Sequence, residues 1–151
     1  VLLKEVNNQG FAFYTNKNSR KGQEIEKNKY ASACFHWKSL RKQVRIEGLI
    51  TDIPEQEADA YFRTRHRTSQ IGAWASKQSQ TLKEYSVLKS CVQRYENDFE
   101  TQKDIPRPPY WNGYRIEPNA IEFWIDGAYR LHERYLYKKD GEQWTRTMLY
   151  P

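Results

Sequence analysis

In the segment QVRIEGLITDI, residues 43–53, Val44, Ile46, Gly48 and Ile50 alternate with Gln43, Arg45, Glu47 and Thr51. A period of two predicts a β-strand with one face in a core and the other in water. Strand composition recurs along the chain. VLLKEV and FAFYT flank Asn7-Asn8-Gln9-Gly10 and read as a hairpin whose turn needs the permissive Gly10 backbone. ASACFHW, IEFWI, AYRLHERYLYK and QWTRTMLY read as strands too, the last two joined by a turn at Asp140-Gly141. Helices interrupt this pattern. Ser19 can cap a short one, Asp52 and Pro54 open another through EQEADAYFRTR, and Leu82, Tyr85, Leu88, Val92, Tyr95 and Phe99 keep helical spacing in a longer one. DIPRPPYWNGY, with three prolines and a glycine, predicts a structured loop. Strands dominate without βαβ alternation or repeat, which predicts an α+β chain built on an antiparallel barrel with inserted helices.

With 151 residues, 15% of them aromatic, the chain has enough material for one core, and a single domain over residues 1–151 is expected. It opens on Val1-Leu2-Leu3-Lys4 in what reads as mid-strand, so an N-terminal segment of a longer parent is expected to precede it. A formal charge of +6 favours anionic partners, and charge alone does not choose among nucleic acid, acidic membrane and phosphorylated small molecules. Cys34, in an apolar run, and Cys91, in a helical pattern, form neither a disulfide framework nor a zinc motif. A reducing, cytoplasmic setting is expected. No window approaches the roughly 18 to 20 apolar residues of a membrane span.

Three stretches carry candidate chemistry. In YTNKNSRKG, a Ser19 cap puts Arg20 and Lys21 in the first helical turn, where the free N–H groups already make the potential positive. That placement suits a phosphate bound by Thr15, Ser19 and both cations, or else a solvated basic turn. In YFRTRHRTSQIGAWASKQSQ, Tyr61 and Arg65 are one helical turn apart and Ser69 follows, a second possible phosphate clamp. Spacing alone favours a surface helix with an arginine-rich end there. SQIGAWASKQSQ, read as an exposed loop, has reason to carry Ile71 and Trp74 if it packs on a planar, polar-edged group such as a flavin or nucleobase. Third, if Tyr129–Lys138 is a strand, then Arg130, His132 and Arg134 share a face, and the two arginines favour a neutral imidazole between them. No nucleophile triad and no metal-spaced cluster is present, whereas redox chemistry carried by a cofactor needs neither.

VLLKE, FYTNKNSRKG, QVRIEG, YFRTRHRTSQIGAWAS, Gln78-Ser79, PRPPYWNGYR, IEFW and RLHERYLY, in this order over essentially the whole chain, strongly resemble the pyridoxine (pyridoxamine) 5'-phosphate oxidase family. The resemblance implies an FMN-binding split barrel that works as a homodimer with FMN at the subunit interface. It implies oxidation of pyridoxine or pyridoxamine 5'-phosphate to pyridoxal 5'-phosphate, with oxygen reduced to hydrogen peroxide. Carried over by motif, Val1, Leu2, Leu3, Lys4, Tyr14, Thr15, Arg20, Lys21, Gln43, Gln78, Ser79, Trp124 and Arg134 would bind FMN. Lys4, Tyr61, Arg65, Ser69, Arg130, Leu131 and His132 would bind substrate, with Tyr61, Arg65 and Ser69 on its phosphate and Arg130 and His132 orienting it at the reacting carbon. No metal, nucleic-acid or membrane partner is expected.

Two other classes fit part of the pattern. Another split-barrel flavoprotein, a reductase or cofactor carrier, would keep the FMN residues without Tyr61, Arg65, Ser69, Arg130 and His132 acting on a vitamin. A basic, aromatic-rich nucleic-acid-binding barrel would concentrate its cations, whereas here Glu and Asp are spaced among them.

Overall fold

Turn chemistry sets the frame. Strand β1 (Glu5–Asn7) reverses into β2 (Gly10–Asn16) at Gly10, whose φ of 133° suits glycine and where a Cβ would lie 2.1 Å from the Ile116 carbonyl oxygen. In the computed structural model, which describes residues 1–151, there follow α1 (Arg20–Lys27), β3 (Tyr30–Trp37), β4 (Lys42–Asp52), α2 (Glu55–Thr64), α3 (Arg67–Ala75), α4 (Tyr85–Asp98), β5 (Trp111–Ile125), β6 (Glu133–Asp140) and β7 (Gln143–Leu149). The strands form one sheet ordered β1-β2-β5-β4-β3, with β6 on β5 and β7 on β6. The pairs β3/β4, β5/β6 and β6/β7 are antiparallel. This is the α+β, antiparallel architecture with inserted helices that the patterning predicts.

The chain divides into two compact units. The first comprises Val1–Glu5, Ala12–Lys27 and Asp52–Tyr114. Its core is Phe62, Ile71, Phe99, Ile105 and Trp111, with Tyr14, Tyr61, Trp74, Val92 and Tyr95 packed against it. Side chains tie the helices and the proline loop to that core. Arg67, at the start of α3, donates to the Phe99 and Gln102 carbonyls just past the end of α4. Trp74 Nε1 donates to the Pro106 carbonyl and Tyr110 Oη to the Trp74 carbonyl, so the loop is structured as expected.

The second unit comprises Val6–Phe11, Asn28–Thr51 and Arg115–Pro151. Here the alternation in β4 is realised: Ile46 and Ile50 are buried while Arg45 and Glu47 are exposed. The β6/β7 hairpin closes at Gly141, whose φ is 57°.

Four expectations need correction. Tyr129–Lys138 is not one strand: residues 128–130 form a 3-10 turn, Tyr129 and Arg130 have φ of 55° and 67°, and β6 begins only at Glu133. Gly127 permits this, because a Cβ there would lie 2.0 Å from the Leu131 carbonyl oxygen. SQIGAWASKQSQ is no exposed loop, since its first half is α3, with Gln70, Ile71 and Ala75 buried. WNGY belongs to β5 and not to the loop before it. VLLKEV is strand only from Glu5, so the chain does not open in mid-strand: residues 1–4 precede β1.

Candidate active site

In the first unit a cavity of about 750 Å³ opens between the N-terminal segment, β2, α1 and α3. Aromatic side chains build one wall. The Tyr14 ring lies 4.1 Å from Tyr61 and 5.1 Å from Trp111, at interplanar angles of 15° and 8°, and Phe62 meets Trp111 edge-on at 5.0 Å. The Arg65 guanidinium sits 4.9 Å from the Trp111 ring centre and 5.4 Å from that of Phe62. Its Nη1 is buried and has no hydrogen-bond partner, and burial lowers the basicity of the group. A buried N–H donor left unmatched costs free energy that an incoming acceptor would recover. Arginine remains cationic at any ordinary pH, so the acceptor favoured here is an anion.

The opposite, polar corner is built from α1. Ser19 Oγ accepts the Gly22 N–H at 3.1 Å and donates to the Asn16 carbonyl at 2.6 Å, the expected N-cap. This starts the helix so that Lys21 turns into the cavity, where Nζ donates to Thr15 Oγ1 at 2.7 Å and Thr15 Oγ1 donates to Gln78 Oε1 at 3.1 Å. Partial burial lowers the Lys21 pKa, with Glu24 opposing the shift. An anion in this corner would favour its charged form.

Of the residues singled out in the sequence, the cavity gathers Val1, Leu2, Lys4, Tyr14, Thr15, Lys21, Tyr61, Arg65, Ser69 and Gln78. Six others of the first unit do not line it: the Ser19 hydroxyl is buried in the helix cap and Ile71 and Trp74 are taken up by the core, while Leu3, Arg20 and Ser79 face elsewhere. Leu3 is exposed, Arg20 is exposed and paired with Glu24, and Ser79 is exposed with a φ of 71°. Trp111, Asn16, His66, Gly72, Ala73 and Ser76 line it without having been singled out. Helical spacing holds the missed signal: Ser69, Gly72, Ala73 and Ser76 stand at i, i+3, i+4 and i+7, a face of small side chains that leaves room beside α3.

The second unit holds Gln43, Trp124, Arg130, Leu131, His132 and Arg134. Gln43 pairs with His36 in the β3/β4 register, and Trp124 with Arg134 in β5/β6. Arg134 Nε donates to Glu122 Oε1 at 2.7 Å and its Nη1 to the Tyr150 carbonyl at 3.0 Å. The Arg134 hydrogen bond holds the Glu122 carboxyl below the usual carboxylate range, with burial opposing and Arg45 assisting. Arg130, His132 and Arg134 do not share a strand face, since only Arg134 lies in a strand and Arg130 sits exposed in the turn. The His132 ring rests 4.6 Å from Trp124, and its Nδ1 lies 3.0 Å from Asp126 Oδ1 and 3.2 Å from the Gly127 N–H. Its immediate charged neighbour is therefore a carboxylate and not the expected arginines.

An antiparallel sheet with a cavity that pairs stacked aromatic rings with an unmatched arginine donor defines a class: proteins shaped for a planar, anionic small molecule. The chain belongs to the pyridoxamine 5'-phosphate oxidase family, whose model, described as "Pyridoxamine 5'-phosphate oxidase", matches residues 1–98. A second model, "Pyridoxine 5'-phosphate oxidase C-terminal dimerisation region", matches residues 111–151. Relatives named pyridoxine/pyridoxamine 5'-phosphate oxidase include one from Bartonella henselae, 54% identical over all of this chain and 74% of its own length. Another, from Pelagibacter ubique, is 47% identical over all of this chain and 73% of its own length. Among solved structures, PhzG from Burkholderia lata, in complex with tetrahydrophenazine-1-carboxylic acid, superposes with a TM-score of 0.90 at 32% identity, covering 99% of this chain and 72% of that one. A pyridoxamine 5'-phosphate oxidase-related, FMN binding protein from Nostoc punctiforme shares the fold, with a TM-score of 0.73 at 16% identity over 99% of this chain and 78% of that one.

Proposed function

We propose that this chain is an FMN-dependent oxidase, working as a cytoplasmic homodimer, that converts pyridoxine or pyridoxamine 5'-phosphate to pyridoxal 5'-phosphate. The alcohol and oxygen give the aldehyde and hydrogen peroxide; the amine, oxygen and water give the aldehyde, ammonia and hydrogen peroxide. The observation that carries this reading is the buried, unpartnered Arg65 Nη1 on the wall of an aromatic cavity, a donor suited to a phosphate beside a surface suited to a planar ring. Identities of 54% and 47% to relatives named for this reaction support it, as does the matched dimerisation region.

Arg65, Ser69 and Tyr61 would hold the substrate phosphate, leaving the pyridine ring to the aromatic wall. The residues fit FMN as well. Lys21 and Thr15 would take its phosphate at the N-terminal end of α1, with Gln78 next to them and Val1, Leu2 and Lys4 lining the cavity beside them. Gln43, Trp124 and Arg134 are the second unit's proposed contributors to the cofactor, while Arg130, Leu131 and His132 would orient the substrate. FMN, when bound, supplies the two-electron acceptor that oxygen regenerates. The protein would contribute position: fixing the phosphate end would orient the exocyclic carbon at the substrate's 4-position, and neither Arg130 nor His132 need form a bond to it.

PhzG, at 32% identity, raises a second reading, oxidation of a larger carboxylated ring system, and the Arg65 donor would serve a carboxylate too. Hydrogen peroxide release from the FMN-loaded dimer separates the two. Turnover of pyridoxine 5'-phosphate well above that of unphosphorylated pyridoxine is expected; turnover of a tricyclic carboxylate alone would assign the second reading.

A further inference from the structure

Glu122, on β5, is 5% exposed, yet it carries a charge. Burying a carboxylate is costly unless it is paired, and Glu122 is paired twice: Oε1 accepts from Arg134 Nε at 2.7 Å and Oε2 from Arg45 Nη2 at 2.8 Å. Arg45 Nε also lies 3.2 Å from Glu47 Oε1, so two arginines and two carboxylates balance in charge. Arg134 is also fixed at a second nitrogen, since Nη1 donates to the Tyr150 carbonyl at 3.0 Å. A guanidinium is planar and rigid, so separate acceptors on Nε and Nη1 set its plane and leave Nη2 in a determined direction. Trp124 is the cross-strand partner of Arg134 and carries the His132 ring, so Glu122 and its two arginines adjoin the second unit's candidate residues.

We propose that Glu122 is a positioning residue for the cofactor: it aims the Arg134 guanidinium at FMN, and Arg45 holds the carboxylate from its other oxygen. This rests on the reading of Arg134 as an FMN ligand. Arginine's own charge would persist without Glu122, so what Glu122 supplies is direction.

The test measures FMN affinity of the dimeric apoprotein from the change in flavin fluorescence on binding, with no turnover involved. Arg134→Ala is expected to weaken binding by roughly tenfold or more, and Glu122→Gln by about tenfold, with Glu122→Asp intermediate. The double variant should bind no more weakly than Arg134→Ala alone, a non-additivity that a merely structural Glu122 would not produce. Wild-type affinity in Glu122→Gln beside a weakened Arg134→Ala would overturn the positioning role, and so would additive losses in the double variant. Unchanged affinity in Arg134→Ala would instead overturn the underlying assignment of Arg134. If Glu122→Gln does not fold, Glu122→Asp carries the same cycle with the same readings.

Discussion

The cavity of the first unit and the strands of the second both carry arginines, and they hold them in opposite ways. Arg65 lies over Trp111 and Phe62 with a buried nitrogen that nothing in the chain satisfies, whereas Arg134, Arg45 and Arg41 are matched to Glu122 and Asp126. A half-buried cation with an unmatched nitrogen stores a demand for an anion, and a matched one has its direction set but its charge largely answered. The first arrangement belongs to a group that recognises its ligand by charge, the second to groups that orient.

Substitutions sharpen the contrast, the largest effect first. Trp111→Ala removes the surface on which Tyr14, Phe62 and Arg65 rest, and should cost about 3–5 kcal/mol in denaturant unfolding of the apoprotein; a loss under about 1 kcal/mol would mean that the wall is not part of the core. Arg65→Ala should leave folding nearly intact, yet lower kcat/KM for pyridoxine 5'-phosphate by ~30- to 150-fold, equivalent to about 2–3 kcal/mol, mainly through KM. Lys21→Met, which removes a cation already engaged by Thr15, should weaken FMN binding by about 1–2 kcal/mol with little change in KM for substrate at saturating FMN. Equal losses in both quantities would merge the two proposed anion positions.

Acid probes the matched side. A carboxyl whose folded pKa is lowered contributes stability above its unfolded value, near 4.3 for glutamate, and loses it as the pH falls through the lowered folded value. The difference in apoprotein Tm between wild type and Glu122→Gln should therefore be present at pH 6 and close progressively below about pH 4. A gap that widens in acid would contradict the pairing. At the bottom of the scale, Arg20→Ala should shift stability by no more than about 0.5 kcal/mol, since its pair with Glu24 is exposed.

Local rules made part of this legible. The Ser19 cap, the Gly10 and Gly141 turns and the alternation in β4 each depend on a few neighbouring residues, and the structure has them where the patterning predicts. The Lys21 corner follows from that cap. What escaped depends on distance or on strain. The 129–130 turn hides in a stretch whose aromatic content reads as strand, because its positive φ values fall on Tyr129 and Arg130, residues with no such preference, while Gly127 makes room three positions from Arg130. The helix α3 was masked by Gly72, Ser69 and Trp74, weak helix formers that tertiary burial of Ile71 overrides. Glu122 was invisible as a partner because its Arg45 stands 77 residues away.

The most direct measurement of the central claim is anaerobic reduction of the FMN-loaded dimer, followed by the bleaching of the flavin absorbance, with pyridoxine 5'-phosphate and pyridoxine as alternative reductants and Arg65→Ala beside wild type. Wild type should bleach with the phosphorylated compound at concentrations far below those needed with pyridoxine, and Arg65→Ala should lose most of that preference. Bleaching that ignores the phosphate, or a preference that survives without Arg65, would contradict the assignment of the unmatched arginine to the substrate.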